Sequence, residues 1–290
     1  MAGIVLITAC GNSSGSSTVP PATTTSAVVT STTAEPVTTR PATPTTAAPP
    51  DHVPAVASRY GLLGWWSDGW VLPDDMSAIP LEGGEEYQVV MLDQPVTTAI
   101  GSVPTLCEPS QTPVLEFDPP LAGDYREPGA IAILADWELR PAAVRVVPDP
   151  EAIHRDAVAE VLSSLGIEAE PVIFQQLAAD LEGDGTEEVL IVSKALPDDL
   201  FAGPGDYSVV VLRKLIEGEW QTAILDTSLG EADSAYILSH SIPAIADLNG
   251  DGTMEVLVDA VYYEGSGTTA YEYIDDDLGP QAVLGGGCGA

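Results

Sequence analysis

Two stretches of the chain, DLEGDGTEEVLI (residues 180–191) and DLNGDGTMEVLV (residues 247–258), set oxygen-bearing side chains at alternate positions around a glycine. Asp180, Glu182 and Asp184 stand at positions 1, 3 and 5 of the first, and Asp247, Asn249 and Asp251 at those of the second. A glycine follows at position 6, a threonine at 7, and Glu188 or Glu255 at 9. Hard divalent cations want about six to eight oxygen ligands, and a tight loop delivers them from alternate residues. Glycine lets such a loop turn at positive φ. Asp-Gly and Asn-Gly also make tight hairpin turns with no metal. Against the bare turn stands the crowding: carboxylates packed into nine residues repel one another unless a cation neutralises them. Position 12, where an EF-hand needs a bidentate glutamate, is Ile191 or Val258, and the flanks read as strands, so an EF-hand or dockerin is excluded.

Other chemistry is sparse. GNSSG (11–15) has the G-x-S-x-G spacing but lies in a segment without strand or helix. GSGTTA (265–270) has a dinucleotide-type spacing, yet no helix follows, and it reads as a turn. No P-loop, CxxC or HExxH occurs. Of the histidines, His52 belongs to the linker, His154 lies on an apolar helical stripe, and His240 precedes the second acidic loop. Asp136 and Glu138, on either side of Trp137, could mimic a glycosidase carboxylate pair, but acids this abundant pair by chance. Trp65, Trp66 and Trp70 would stack on a sugar or peptide if exposed, and would pack a core if not. Tyr271 and Tyr273 share one strand face, with the same two readings.

The elements that must position these residues begin after a long head. Ile7-Thr8-Ala9-Cys10 has the form of a lipobox, in which Cys10 becomes diacylated. The predicted unit is a lipoprotein signal over residues 1–10, shortened at its start, since a basic n-region is missing and the apolar stretch Ile4–Ile7 is brief. Two acyl chains suffice for stable anchoring. Residues 11–57 are rich in Ser, Thr, Ala, Val and Pro, and residues 11–50 hold no aromatic side chain, so this linker cannot repay the entropy of ordering. An extended stalk that suits O-glycosylation is expected. With Cys10 lipidated, Cys107 and Cys288 either pair as a disulfide in an oxidising compartment or remain free thiols.

Only Glu35 and Arg40 are charged in the first fifty residues, so the net charge of −35 sits on the remainder. Such a field repels nucleic acid and anionic lipid and attracts divalent cations or basic surfaces. Solubility, or a salty habitat, explains it equally. No apolar stretch is long enough to span a membrane as a helix.

In the body, residues 58–147 read as short strands broken by Gly, Pro and Asp, among them GLLGWWSDGWVLPDD (61–75), EEYQVVMLD (85–93) and AIAILADWELRP (130–141). Residues 148–167 read as a helix near 151–165: Pro148-Asp149-Pro150 starts it, Val158, Val161, Leu162 and Leu165 form its stripe, and Gly166 ends it. From 171 to 290 a pattern of strand, loop, strand, turn, strand, turn, strand occurs twice, the acidic loops lying 67 residues apart. Four strands per unit is the size of a propeller blade. The fold class expected is therefore mainly β, with antiparallel four-stranded, blade-like units, one helix and a disordered N-terminal stalk.

Strand, D-x-[DN]-x-DG loop, acid at position 9 and following apolar run together resemble the FG-GAP/VCBS type of repeat, the calcium loop of integrin propellers, over residues 171–290. The Phe-Gly and Gly-Ala-Pro signatures of those repeats are absent. The resemblance implies structural calcium held by Asp180, Glu182, Asp184 and Glu188, and by Asp247, Asn249, Asp251 and Glu255, with Glu182 one methylene longer than the usual residue. The function expected is a lipid-anchored, extracytoplasmic binding or adhesion module with a protein or glycan ligand. An extracytoplasmic hydrolase using the repeats as scaffold, or a structural envelope protein, are the alternatives.

Overall fold

The computed structural model describes residues 53–289, apart from 109, 124–127, 141, 149–150, 199, 202, 231–235 and 273–278. The predicted signal with Cys10, His52, most of the stalk, Tyr273 and the helix-starting Asp149-Pro150 lie outside the described residues.

The short apolar runs become strands β1 (Ala55–Ser58), β2 (Gly61–Trp66), β3 (Trp70–Val71), β4 (Glu86–Val90), β5 (Thr97–Gly101), β6 (Thr105–Cys107), β7 (Thr112–Val114), β8 (Phe117–Asp118), β9 (Ile131–Leu134) and β10 (Val144–Val146). The single α-helix among the described residues is α1 (Ala152–Ser164), ended by Gly166 at φ +81°, and one 3-10 turn lies at Met76–Ala78. Next come β11 (Ile173–Ala179), β12 (Glu188–Ala195), β13 (Tyr207–Ile216) and β14 (Glu219–Leu229). The last four are β15 (Ser239–Ala246), β16 (Glu255–Tyr262), β17 (Gly265–Glu272) and β18 (Gln281–Gly289). The fold is mainly β, and every strand pairing among the described residues is antiparallel.

The doubled pattern folds as two four-stranded meanders, β11–β14 and β15–β18. Their register repeats with the sequence: Ala178 faces Val189 and Ala179 faces Glu188 in one, as Ile245 faces Val256 and Ala246 faces Glu255 in the other. The strands following the acidic loops are apolar throughout because both their faces are covered. Leu190 and Val192 point with Leu177, Val210 and Leu212 onto Ile242, Ile245, Val256 and Val258 of the second meander. Val189 and Ile191 point the other way, with Val209 and Val211, onto the α1 stripe of Val158, Val161 and Leu162. The far face of the second meander, with Ala244, Leu257, Ala270 and Leu284, packs on Val56, Leu63, Ile131 and Ile133.

Those last residues belong to a seven-stranded sheet in the order β3-β2-β1-β9-β4-β5-β8, curled into a half-barrel. The two meanders thus stack face to face in the manner of propeller blades. They do not continue into a ring, because α1 covers the outer face of the first and the half-barrel the outer face of the second.

Three boundaries differ from the sequence reading. Ala55, Val56 and Ala57, assigned by composition to the linker, are buried in β1, where Ala55 faces Leu134 across the sheet. β10, from the N-terminal region, joins the first meander through Val144 facing Ala179. The run 130–141 keeps only four residues of strand before the chain turns away at Ala135.

Candidate metal centre

Each acidic loop hangs between two strands and is pinned at both ends. Its position-2 leucine, Leu181 or Leu248, is fully buried. The backbone N–H of that leucine donates to Oε2 of the position-9 glutamate, at 2.9 Å for Glu188 and 2.6 Å for Glu255. The position-1 aspartate caps the turn. Asp180 accepts from the backbone N–H of Asp184 and Gly185 at 3.0 and 2.8 Å, and Asp247 from those of Gly250 and Gly252 at 2.6 and 3.0 Å. The position-5 aspartates, Asp184 and Asp251, each accept from the threonine N–H two residues on, both at 2.7 Å. Two loops 67 residues apart therefore fold the same way. Glycine is required where the backbone passes φ +89° at Gly185 and +92° at Gly252.

The loops lie side by side. Met254 N–H donates to the Leu181 carbonyl at 2.8 Å, and Asp247 N–H to the Leu139 carbonyl at 2.8 Å. Glu188 and Glu255 are buried at 1% and 0% exposure, and Oε1 of each has no hydrogen-bond partner among the described residues. Burial holds both above the usual carboxylate range, Glu188 at about 7 and Glu255 at about 9. Asp247 is raised as well, again chiefly by burial.

The remaining predicted ligands are partly engaged elsewhere. Glu182 forms an ion pair with Lys214 on β13 at 2.6 Å. Asn249 donates to Asp251 at 3.2 Å and to Glu272 on β17 at 2.9 Å, while its own side-chain oxygen accepts from Asp251 N–H at 3.0 Å. Among the described residues, no group of three or more acids, histidines or cysteines stands close enough to share an ion. A carboxylate has about four lone-pair sites, and those capping backbone N–H groups use only some of them. Each loop thus leaves one bare carboxylate oxygen, on Glu188 with the charge of Glu182 near it and on Glu255 with those of Asp247 and Asp251 near it.

Sequence reasoning missed the second loop's neighbours. Trp137 Nε1 donates to the Asp247 carbonyl at 2.9 Å, and a Cβ on Gly250 would meet its ring at 3.2 Å. Trp70 Nε1 donates to Glu272 at 2.8 Å, which in turn holds Asn249. Lys214 was equally hidden, since a base on the adjoining strand carries no local signal. Of the tryptophan cluster, Trp65 is core, while Trp66 and Trp70 meet edge to face at 4.8 Å. Tyr271 is core too. Asp136 and Glu138 are exposed on the loop after β9.

Cys107 and Cys288 are joined as a disulfide, their Cα atoms 6.0 Å apart.

The two described histidines, His154 and His240, are both buried. His154 is buried against Trp220, with Nδ1 3.1 Å from the Arg213 guanidinium. His240 stands between Ser208 Oγ, 3.0 Å from Nδ1, and Asp226, 3.6 Å from Nε2. The types match a nucleophile, base and acid, yet Ser208 and His240 are both fully buried, so no substrate reaches the hydroxyl. Burial holds His240 below the usual histidine range.

No protein-family model, curated protein or solved structure matches the chain.

Proposed function

We propose that the chain is an exported, non-enzymatic binding module, held at the outer face of a membrane through acylated Cys10, whose blade-like repeats are stiffened by calcium at the two acidic loops. One observation carries the reading: Glu188 and Glu255, at equivalent steps, each cap a loop with one oxygen and leave the other buried and bare. A buried carboxylate oxygen without a partner costs stability. A proton relieves it partly; a divalent cation shared with the flanking aspartates relieves it fully and fixes the register of the strands that follow. Twice over, the same cost at the same position points to a common ligand. The acidic field of −35 concentrates cations at these loops.

Tryptophan emission tests it, because Trp137 rests on Gly250 and Trp70 reaches Asn249 through Glu272. Calcium added to chelator-treated protein should change the emission saturably, at concentrations of about 0.1–1 mM typical of extracellular modules. The change should vanish in Asp247→Ala. Emission indifferent to calcium, or a response surviving that substitution, overturns the reading for the second loop.

A further inference from the structure

In both meanders the acidic loops leave at one end of the sheets, so the β12–β13, β14–β15 and β16–β17 connections emerge at the other. These three connections gather aromatic side chains at the surface. Phe201 lies in the first, Tyr236 in the second, and Tyr263 in the third, next to Tyr262 at the end of β16. Phe201 and Tyr263 meet at 4.9 Å between ring centroids, Tyr236 and Tyr262 at 4.8 Å, and Tyr236 and Tyr263 at 6.4 Å. Four rings thus form one continuous strip drawn from both repeats. Phe201, Tyr236 and Tyr263 remain 53%, 48% and 43% exposed. Clustered exposed rings mark an interaction site.

The strip stands in an acidic setting. Asp198 and Asp206 share the first connection, and Glu264 follows Tyr263, whose hydroxyl it hydrogen-bonds. Beside the strip, joined to it where Ile237 N–H donates to the Leu200 carbonyl at 3.1 Å, opens a cleft of about 410 Å³ lined by Val172, Phe174, Leu196 and Leu200. Its one lysine, Lys194, is tied down: the ammonium donates to Ser239 and to the His240 carbonyl and sits 3.5 Å from the centre of the Phe174 ring. That contact displays the chemistry the strip offers outward, since an aromatic face attracts a cation.

From this juxtaposition of ring faces and negative charge we infer that the aromatic strip is the docking face for a basic protein segment, with lysine or arginine side chains over the rings of Tyr236 and Tyr263. The inference rests on the reading of the chain as a binding module and names its site and partner class. The net charge of −35 draws such a segment in and excludes acidic partners, while the rings give it a place to stop.

The test is binding of an arginine-rich synthetic peptide to the full chain at physiological salt, beside a glutamate-rich peptide and a neutral oligosaccharide. The arginine-rich peptide alone should bind. Tyr236→Ala with Tyr263→Ala should weaken it roughly tenfold, the loss of two exposed cation–π contacts, without altering the net charge. Both positions are surface rings, so the variant's melting temperature should match the parent's. Unchanged affinity in the variant reduces the attraction to general charge and overturns the inference, as does preferential binding of the oligosaccharide. Melting each sample with calcium and with chelator separates the claims: ring-dependent peptide binding with melting indifferent to calcium removes the metal reading alone, and calcium-dependent melting with ring-independent peptide binding removes this one.

Discussion

Calcium should raise the melting temperature of this protein, with a larger gain at about pH 9 than at about pH 5. The sign follows from the cation-free loops. Burial raises Glu188 to about 7 and Glu255 to about 9, against an ordinary value of 4.5. The folded state therefore binds protons that the unfolded state has released. The stability this confers is complete below 4.5 and is lost as pH rises, first through about 7 and then through about 9. A cation bound to the ionised carboxylates would remove the loss. At a hundredfold excess over the dissociation constant each site adds about 2.7 kcal/mol, so two add roughly 5 kcal/mol. For a body of this size that is about 10 °C or more. Melting curves in chelator and in calcium across this pH range check it. In Glu255→Gln the carboxamide still accepts from Leu248 N–H, so the chelated protein should keep more of its stability near pH 9 while losing about half the calcium gain.

Replacing Cys107 and Cys288 together by serine should cost roughly 5 kcal/mol, the chain entropy released when a loop of this length opens. The bridge spans 181 residues and ties the two-stranded β6–β7 ribbon to β18, the edge strand of the second meander. Apart from the bridge, that strand's end is held through backbone alone, with Ser266 facing Cys288 and Gly265 facing Gly289 on β17. Its sequence is GGGCG, and it lies so near β2 that a Cβ on Gly286 would stand 2.6 Å from the Leu62 carbonyl, so no side chain can substitute for the bridge by packing. The melting temperature should fall by about 10 °C or more, reductant should reproduce the fall in the parent, and reductant should do nothing further to the double variant. Equal melting of parent and variant would show that β18 is held without the bridge.

What the sequence disclosed and what it hid divide by distance along the chain. Val158, Val161 and Leu162 announce α1 because helical spacing is local, and the doubled loops announce two meanders because hairpin strands are neighbours in sequence. The half-barrel was only a set of short runs, since β1 pairs with β9 through Ala55 and Leu134, and no local pattern names so remote a partner. Ala55–Ala57 were read as linker for the related reason that Ala-Val-Ala beside proline has the linker's own composition. The candidate ligands were legible as residue types at a spacing. The diversion of Glu182 to Lys214, and the packing of Trp137 over Gly250, depend on neighbouring strands and loops that only the folded sheet brings near.

The central claim is that each acidic loop takes one calcium ion, and calorimetric titration of the chelator-stripped full chain measures it most directly. Two ions per chain should be counted, with Glu188→Gln and Glu255→Gln each leaving one. Absence of binding up to millimolar calcium, or two ions still bound by the double variant, would contradict it.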